Sequence, residues 1–272
     1  MQTVQETKLW RVQKFHRLEL LKATFTTHVF PKHLHETYVI EIVEQGADVF
    51  FCDGHTYTAT AGSVVVINPF EVHTGKSAGK TPLVYRSMYP SPVLMQEILA
   101  DLALSGNELH LFQSRVRHDR KLFANMLALH LALEQNEERL ACESLMLTAI
   151  TQLTQEYSDA SNSAKKADEK NRPACRAREF LIECSDQKIS LQKLAKSSGA
   201  SPFHLLRSFR KAYGIPPHEF LINVRVERAK RLLAQGAPIS QTALETGFCD
   251  QSHLSRHFKR LTGVTPKQYA DY

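Results

Sequence analysis

The pattern of apolar and polar residues divides the chain into a strand-like segment, a helical segment, a polar stretch and a second helical segment. Residues 25–90 are rich in Val, Ile, Tyr, Phe and Thr. Turn-forming pairs interrupt this segment at Gln45-Gly46, Asp53-Gly54, Ala61-Gly62 and Asn68-Pro69. Short strands separated by such turns predict a small antiparallel barrel or sandwich, and the apolar run within residues 62–69 predicts one buried strand.

The apolar residues then take up helical spacing. Three helices are predicted, at about residues 92–104, 119–134 and 139–157. Strands followed by helices indicate an α+β domain over residues 1–157. Residues 158–174 are polar and lack apolar periodicity, which predicts a flexible linker. The total of 272 residues fits two domains, of which the second spans residues 175–272.

A sequence repeat organises the second domain. Three residues recur 50 positions further on, Ile189, Ser190 and Leu194 as Ile239, Ser240 and Leu244. Six more recur 49 positions further on, His204, Leu205, Arg207, Phe209, Gly214 and Pro217 as His253, Leu254, Arg256, Phe258, Gly263 and Pro266. The offset between the two copies changes from 50 to 49 residues in a turn, near Gly199 and Gly247. Two helical modules of the same geometry are therefore predicted.

Residues that commonly cap helices punctuate both modules. The expected N-caps are Ser190, Ser201, Ser240 and Asp250, and the expected C-caps are Gly214 and Gly263. Each module thus reads as two helices joined by a tight turn, over residues 190–213 and 240–262. This is the helix-turn-helix pattern, whose second helix enters the major groove of DNA. The alternative, an all-helical protein-binding bundle, is disfavoured because an exposed basic face is duplicated at matched spacing.

Charge is unevenly distributed along the chain. Residues 172–272 contain 17 Lys and Arg against 8 Asp and Glu, whereas residues 1–171 contain 17 against 20. The C-terminal part is therefore +9 and the remainder −3. Neutralisation of phosphates supplies most of the sequence-independent affinity for DNA, so this asymmetry supports a DNA partner. A basic face alone would also suit RNA or a membrane surface. The repeat favours DNA, because it predicts two helix-turn-helix motifs.

Residues 176–272 resemble the AraC/XylS-type DNA-binding domain. The resemblance rests on the paired motifs, on the connecting segment Arg225-Val-Glu-Arg-Ala-Lys-Arg-Leu-Leu, and on Phe258-Lys-Arg followed by Gly263-Val-Thr-Pro. It implies an all-α domain in which one long helix, at about residues 217–234, carries two recognition helices. These would read adjacent major-groove segments about 34 Å apart on one face of the duplex.

The resemblance also implies which residues read bases. It places Phe203, Leu206 and Arg207 on the first recognition helix and Gln251, Ser252 and Arg256 on the second. Arginine suits guanine and glutamine suits adenine, whereas Leu206 suits a thymine methyl group. For each arginine the alternative is a phosphate contact. Ser255 lies on the same surface, and Arg210 and Lys259 are expected to contact phosphates.

The N-terminal half resembles the cupin-like sensor domain of the AraC family. The residues that carry the resemblance are Pro31-Lys-His33-Leu-His35-Glu-Thr-Tyr38, Gly62 and Asn68-Pro-Phe-Glu-Val-His73. The resemblance implies an antiparallel barrel that holds a small effector, followed by helices that form a homodimer interface. The expected effector contacts are His33, His35, Tyr38 and His73. Strand periodicity places His33 and His35 on one face, and the resemblance places His73 opposite them.

Three histidines at these positions are also similar to the metal site of cupin enzymes. That motif requires a glutamate four or five residues after the second histidine, where this chain has Val39 and Ile40. Glu41 follows one position too late, so a catalytic metal is not expected. A metal-dependent cupin enzyme fused to a DNA-binding domain remains the alternative function, and a non-catalytic metal remains open. No cofactor is expected.

The start of the chain lacks a secretion signal, and no apolar run is long enough for a membrane helix. Five scattered cysteines disfavour a disulfide framework or a zinc ribbon. We therefore predict a cytoplasmic, homodimeric transcription regulator that binds double-stranded DNA and is controlled by an effector. Sugars, amino acids and aromatic acids would all suit its polar groups. If it is an activator, RNA polymerase is a further partner.

Overall fold

The computed structural model describes residues 5–27, 29–79, 81–101, 111–157 and 173–271. The strands are β1 (Gln5–Val12), β2 (Leu18–Phe25), β3 (Val29–His33), β4 (Val39–Gln45), β5 (Ala47–Cys52), β6 (His55–Thr60), β7 (Val64–Ile67), β8 (His73–Ser77), β9 (Leu83–Tyr89) and β10 (Val116–Arg117). All pairings are antiparallel. One sheet has the order β1-β2-β9-β4-β7-β10 and the other β3-β8-β5-β6. These sheets form the predicted cupin-like barrel.

The barrel begins earlier than the predicted segment 25–90. Strands β1 and β2 form a hairpin, with Gln5 opposite Phe25 and Val12 opposite Leu18. The prediction from the apolar pattern started at residue 25 and did not include this hairpin, in which charged residues such as Lys8 lie between apolar ones. In the fold, Lys8 pairs with Glu134 at 2.7 Å. A contact so distant in sequence leaves no local signal.

The larger sheet buries both of its faces. Ile40 and Ile42 pack against the helices that follow the barrel, whereas Val39 and Val43 face the barrel interior. All four residues of β7 are buried, as predicted for the apolar run within 62–69. Burial on both faces explains why this strand reads as a continuous apolar stretch.

Three helices pack on the outer face of the larger sheet. They are α1 (Pro92–Asp101), α2 (Arg120–Glu134) and α3 (Arg139–Tyr157). Asp119 caps α2 by accepting a hydrogen bond from the Leu122 amide at 2.9 Å. Residues 102–104, predicted as the end of the first helix, lie outside the described residues. Residues 158–172 of the predicted linker also lie outside them, whereas residues 173 and 174 belong to the next helix, because Pro173 suits a first helical turn.

The C-terminal domain is helical throughout its described residues. Its helices are α4 (Pro173–Glu183), α5 (Leu191–Ser198), α6 (Pro202–Tyr213), α7 (Pro217–Ala234), α8 (Ile239–Glu245), α9 (Gln251–Thr262) and α10 (Pro266–Ala270). Helices α5 and α6 form the first helix-turn-helix motif, and α8 and α9 form the second. The N-caps Ser190, Ser201 and Asp250 and the left-handed C-caps Gly214 and Gly263 are confirmed.

One predicted cap is wrong. Helix α8 starts from Pro238, whose carbonyl accepts the Thr242 amide at 2.8 Å, and no side chain caps it. The proline has φ −60° and ψ 142°, the extended backbone of an N-cap position. Ser240 therefore lies inside the first turn and not before it. The two modules differ at this helix start although their sequences align.

The long helix α7 joins the two modules and is buried along most of its length. Phe220 and Val224 belong to the core of the first module, whereas Ile222 and Val226 belong to the core of the second. The long helix α7 thus contacts both modules and connects their recognition helices, as the resemblance implies. No helix within the described residues is long and apolar enough to cross a membrane.

The two domains pack against each other. Leu34, at the end of β3, is buried in the core of the first module, and Leu9 of β1 is buried in the core of the second. The amide of Leu34 donates to Asn223 Oδ1 of α7 at 3.3 Å. This contact brings the barrel mouth onto the long helix and positions the site described next.

Candidate effector cavity and nucleic-acid interface

A cavity of about 340 Å³ lies between the barrel interior and the C-terminal domain. The barrel contributes apolar walls such as Phe25 and Phe50. The C-terminal domain contributes Lys230 of α7, Val264 and Tyr269 of α10. The cavity is therefore closed by residues that lie more than a hundred positions from the barrel strands in sequence.

Three of the predicted effector residues meet in this cavity. His33 ends β3 and is the register partner of His73, which begins β8. The ring centroids of His33 and His73 are 4.2 Å apart, and those of His33 and His35 are 5.0 Å apart. His73 therefore lies beside the other two on a neighbouring strand, and not across the barrel interior from them as expected. Alternation along the chain sends Leu34, between the two histidines, into the helical core.

Local hydrogen bonds orient two of these rings. Nδ1 of His33 lies 2.8 Å from the carbonyl oxygen of Pro31, and Nδ1 of His73 lies 3.0 Å from that of Glu71. Burial, and then the neighbouring His35, lowers the pKa of His33 to about 3. Burial and the adjacent His33 likewise hold the pKa of His73 well below its usual value. Both imidazoles are therefore neutral at physiological pH.

The third histidine faces the DNA-binding domain. Nδ1 of His35 lies 3.4 Å from Glu227 Oε1 on α7, close enough for an ion pair but without a well-formed hydrogen bond. Burial alone would raise the pKa of Glu227, but Lys230 and His35 lower it to about 2. Glu227 therefore stays ionised although it is buried.

Lys230 is the centre of an ion-pair network at the cavity wall. Its Nζ lies 3.3 Å from Glu227 and 3.5 Å from Glu19 of β2. Burial would lower the pKa of Lys230, but these two carboxylates keep it well above the usual value. Tyr269 also donates a hydrogen bond to Glu19. The network joins the barrel to the helix that carries both recognition helices.

Besides Glu19, the acidic groups Glu41 and Asp48 face the cavity from the barrel side. Burial raises the pKa of Asp48 to about 7 and that of Glu41 well above its usual value. Burial and the neighbouring Asp48 thus favour the neutral form of Glu41, which can donate a hydrogen bond to a ligand. Glu41 is not part of the histidine cluster among the described residues. The arrangement gives no support to the metal-dependent enzyme considered from the sequence.

The fourth predicted effector residue lies elsewhere. Tyr38 is 1% exposed and packs edge-on against Phe112, in the core between the sheet and the helices. Its side chain shares the face of Ile40, which points away from the cavity. The expectation that Tyr38 contacts an effector is therefore wrong, because strand alternation directs it to the opposite side of the sheet.

The cavity also contains residues that the sequence did not indicate. These are Glu19, Glu41, Asp48, Tyr85, Tyr89, Lys230 and Tyr269. Glu19 lies in a hairpin that was not predicted, and Lys230 lies in the connecting segment, for which the sequence predicted a long helix and no contact with an effector. The alternation of β4 and β5 could have indicated Glu41 and Asp48, since each is an acidic residue between apolar neighbours.

The predicted DNA-binding residues lie on the outer faces of α6 and α9. Leu205 and Phe209 are buried, and so are their repeat partners Leu254 and Phe258. The opposite faces expose Phe203, Leu206, Arg207 and Arg210 on α6 and Gln251, Ser252, Arg256 and Lys259 on α9, with Ser255 half-buried. Among the described residues, neither Arg207 nor Arg256 forms an ion pair. Both guanidinium groups are accessible to a duplex.

Comparisons with known proteins agree with this architecture. Residues 15–150 match the family model of the AraC-like ligand binding domain, and residues 194–272 match that of a helix-turn-helix domain. The uncharacterized HTH-type transcriptional regulator YbfI of Bacillus subtilis (strain 168) is 32% identical over 251 residues, which cover 92% of this chain and 90% of YbfI. The HTH-type transcriptional activator RhaS of Escherichia coli O1:K1 is 24% identical, over 88% of this chain and 86% of RhaS.

Solved structures share the fold of the whole chain. ToxT from Vibrio cholerae O395 has a TM-score of 0.58 at 12% identity, and covers 98% of this chain and 97% of its own. ToxT from strain SCE256, solved with an unsaturated fatty acid bound, has a TM-score of 0.57 at 13% identity, with 99% and 96% covered. With a matching sensor domain, a matching DNA-binding domain and a full-length relative, this chain belongs to the AraC family of transcriptional regulators.

Proposed function

We propose that a small organic effector occupies the cavity and controls DNA binding by changing how the barrel packs on the C-terminal domain. The observation that carries the proposal is that both domains build the cavity wall. A ligand that touches Tyr85 of the barrel and Lys230 or Tyr269 of the C-terminal domain senses their relative position. The volume of about 340 Å³ lies at the lower end of the range for small-molecule sites.

The effector acts by shifting a population of conformations. An effector changes DNA occupancy only if it binds unequally to arrangements that differ in their affinity for DNA. Polar contacts across the domain boundary hold the arrangement described here. Arg231 of α7 pairs with Glu36 at 2.7 Å, and Lys32 donates to the carbonyl of Gly214 at 2.8 Å. A ligand that displaces or tightens these contacts alters how freely α6 and α9 meet DNA.

The cavity lining favours an effector with an apolar body and a few hydrogen-bonding groups. Phe25 and Phe50 supply apolar surface, and Glu41, whose pKa is raised by burial, and the neutral histidines supply donors and acceptors. The fatty acid bound to ToxT supports the idea that this fold accepts such a molecule. The effector contacts we propose in this chain are His33, His35 and His73.

The DNA-binding part of the proposal assigns roles to the exposed residues of α6 and α9. We propose that Arg207 and Arg256 each bind a guanine and that Gln251 binds an adenine. Phe203, Leu206, Ser252 and Ser255 complete the base-facing surface, and Arg210 and Lys259 contact phosphates. The exposure of these side chains supports the assignment.

A homodimer is the proposed assembly, formed through α3. Leu140 and Leu147 lie seven positions apart, on one face of this helix, and are 73% and 39% exposed. Exposed leucines on one helix face are typical of helix pairing. RNA polymerase is a further proposed partner if the protein activates transcription, and the proposed location is the cytoplasm, where this DNA would lie.

Duplexes selected by the protein from a random-sequence library, followed by footprinting with and without candidate effectors, test the proposal. We expect one effector class to change occupancy of the selected site. The variant Gly75→Val places a side chain into the cavity, where a Cβ has Phe30 and Asp48 as its neighbours at 3.6 and 3.8 Å. It should lose the effector response and keep DNA binding.

Gly79→Val is the matched control, since a Cβ at Gly79 meets open space. It should respond like the wild type. Equal loss of response in both variants, or a response that Gly75→Val retains in full, would contradict an effector site in the cavity.

A further inference from the structure

The histidine cluster at the cavity wall has the arrangement of a ligand set for a metal ion. The candidate ligand atoms of His33, His35 and His73 all lie within 4.8 Å of one another. Carbonyl oxygens only accept hydrogen bonds, so the Nδ1 atoms of His33 and His73 that face Pro31 and Glu71 carry the protons. With the proton on Nδ1, the lone pair of each ring is on Nε2.

The third ring has a carboxylate in the same supporting position. Nδ1 of His35 faces Glu227 Oε1 at 3.4 Å, and this nitrogen is buried without a hydrogen-bond partner. Metal-bound histidines almost always donate their second ring N–H to a carbonyl or a carboxylate, which fixes the ring and its tautomer. All three histidines have such a group beside Nδ1. What sets this cluster apart from a single histidine with such a contact, such as His55, is that the candidate ligand atoms of three such rings lie within 4.8 Å of one another.

We infer that His33, His35 and His73 bind one divalent transition metal ion, and that Glu227 of the long helix orients His35 for it. The metal site joins the two domains, because three ligands come from the barrel and their supporting carboxylate comes from the DNA-binding domain. The regulatory consequence rests on the proposed function, whereas the metal site itself does not.

The geometry fits a first-row ion. Imidazole nitrogens about 2.0–2.1 Å from a tetrahedral Zn²⁺ are about 3.3 Å apart, so each ring must move inward by less than about 1 Å from a 4.8 Å separation. An all-imidazole set suits Zn²⁺, Ni²⁺, Cu²⁺ or Fe²⁺ and excludes the oxygen-seeking Ca²⁺ and Mg²⁺. Three protein ligands leave one coordination position toward the cavity, for water or for the effector.

Glu227 couples the ion to the long helix. When a metal fixes the ring of His35, its Nδ1–H is held toward Glu227, which is ionised and paired with Lys230 at 3.3 Å. Metal binding therefore favours the arrangement in which the barrel rests on α7. By linkage, any state of the protein that separates His35 from Glu227 binds the metal more weakly.

Co²⁺ titration of the metal-free full chain, followed by its visible absorption and by competition with Zn²⁺, tests the site. We expect one ion per chain. His73→Asn keeps a donor near the position of Nδ1 but lacks Nε2, and should lower Co²⁺ affinity by more than about 100-fold, since it removes a direct ligand. Circular dichroism of the metal-free variant should match the wild type.

His55→Asn is the matched control. His55 lies in the same barrel and makes the same local contact, from Nδ1 to the carbonyl of Asp53 at 2.8 Å, but it is exposed and outside the cluster. Its affinity for Co²⁺ should equal that of the wild type. Absence of a bound ion in the folded wild type, or affinity that His73→Asn retains, would overturn the metal site.

Glu227→Gln tests the link to the DNA-binding domain. Loss of a supporting carboxylate lowers metal affinity by about 10–100-fold, whereas Glu219→Gln, an exposed change on the same helix, should leave it unchanged. Metal affinity that is equal in Glu227→Gln and the wild type would overturn the role of Glu227.

The last measurement separates this inference from the proposed function. Zn²⁺ should change the affinity of the wild type for its selected duplex and leave that of His73→Asn unchanged. If Zn²⁺ binds to the histidines and DNA affinity does not respond, the regulatory consequence is overturned while DNA binding and effector control stand. If no variant binds DNA in any condition, the proposed function fails and the metal site is judged by the Co²⁺ titration alone.

Discussion

The two helix-turn-helix modules share their buried positions and an exposed arginine, Arg207 or Arg256, and differ at the start of the exposed face. Phe209 and Phe258 are fully buried partners in the repeat. In its first turn α6 exposes Phe203, which is 77% exposed, whereas α9 exposes the polar pair Gln251 and Ser252. The two modules therefore share the packing that holds each recognition helix and differ in part of the exposed surface. We expect the first turn of α9 to read DNA by hydrogen bonds and that of α6 by apolar contact, beside the guanine contact proposed for the arginine of each helix.

The largest expected effect comes from the shared core. Phe209→Ala and Phe258→Ala each remove a fully buried ring, and each should destabilise the protein by about 3–5 kcal/mol. Urea unfolding of the full chain, followed by circular dichroism, measures the two losses. A loss below about 1 kcal/mol at either position would show that the two modules are not packed alike.

A smaller effect is expected at the base-reading arginine of the second module. Arg256→Ala should cost about 1–3 kcal/mol on the selected duplex and relax the preference at one guanine. Lys259→Ala is the control, because loss of a phosphate contact weakens binding to all sequences and lowers the salt dependence by about one ion. Gel shifts on matched and scrambled duplexes measure both. An equal loss for Arg256→Ala on every sequence would make it a phosphate contact.

The N-caps of the two recognition helices should contribute differently to stability. Asp250 accepts the His253 amide at 2.7 Å, whereas Ser201 accepts the His204 amide at 3.4 Å. Asp250→Ala should therefore cost about 1–2 kcal/mol, and Ser201→Ala about 0.5–1 kcal/mol, since the carboxylate also interacts with the helix dipole. Thermal unfolding of the two variants measures which one loses more stability. A larger cost for Ser201→Ala would reverse this part of the comparison.

The smallest expected effect concerns Leu206 of the first module. If it packs on a thymine methyl group, replacing that thymine by deoxyuracil should weaken wild-type binding by about 0.8 kcal/mol or less. Leu206→Ala should bind both duplexes equally. A wild-type protein that does not discriminate between them would remove the proposed apolar reading of α6.

Much of the fold is predictable from the sequence because its signals are local. The cap residues Ser190 and Asp250 and the C-cap Gly263 act within one helical turn, so their positions alone predict where the helices begin and end. The repeat fixes the order of the helices, and the apolar run of β7 marks a strand buried on both faces. These features need no knowledge of distant contacts.

The candidate site is only partly predictable, since strand alternation does not say which face meets which partner. His33, His35 and His73 were indicated by spacing and resemblance, but Tyr38 was misplaced because it lies on the helix-facing side of the sheet. The early hairpin was not predicted either. Its charged residues, such as Glu19, are satisfied by the other domain.

The sequence by itself determined that a strand-rich sensor domain is followed by two helix-turn-helix modules joined by a long helix. Turns, caps and apolar periodicity each depend on residues that are close together in the chain. Only the tertiary structure decided that Glu227 and Lys230, which read as surface charges of a basic segment, are buried against the barrel. The reason is electrostatic. A buried charge is stable only beside its partners, and His35 and Glu19 reach α7 through folding, not through proximity in the chain.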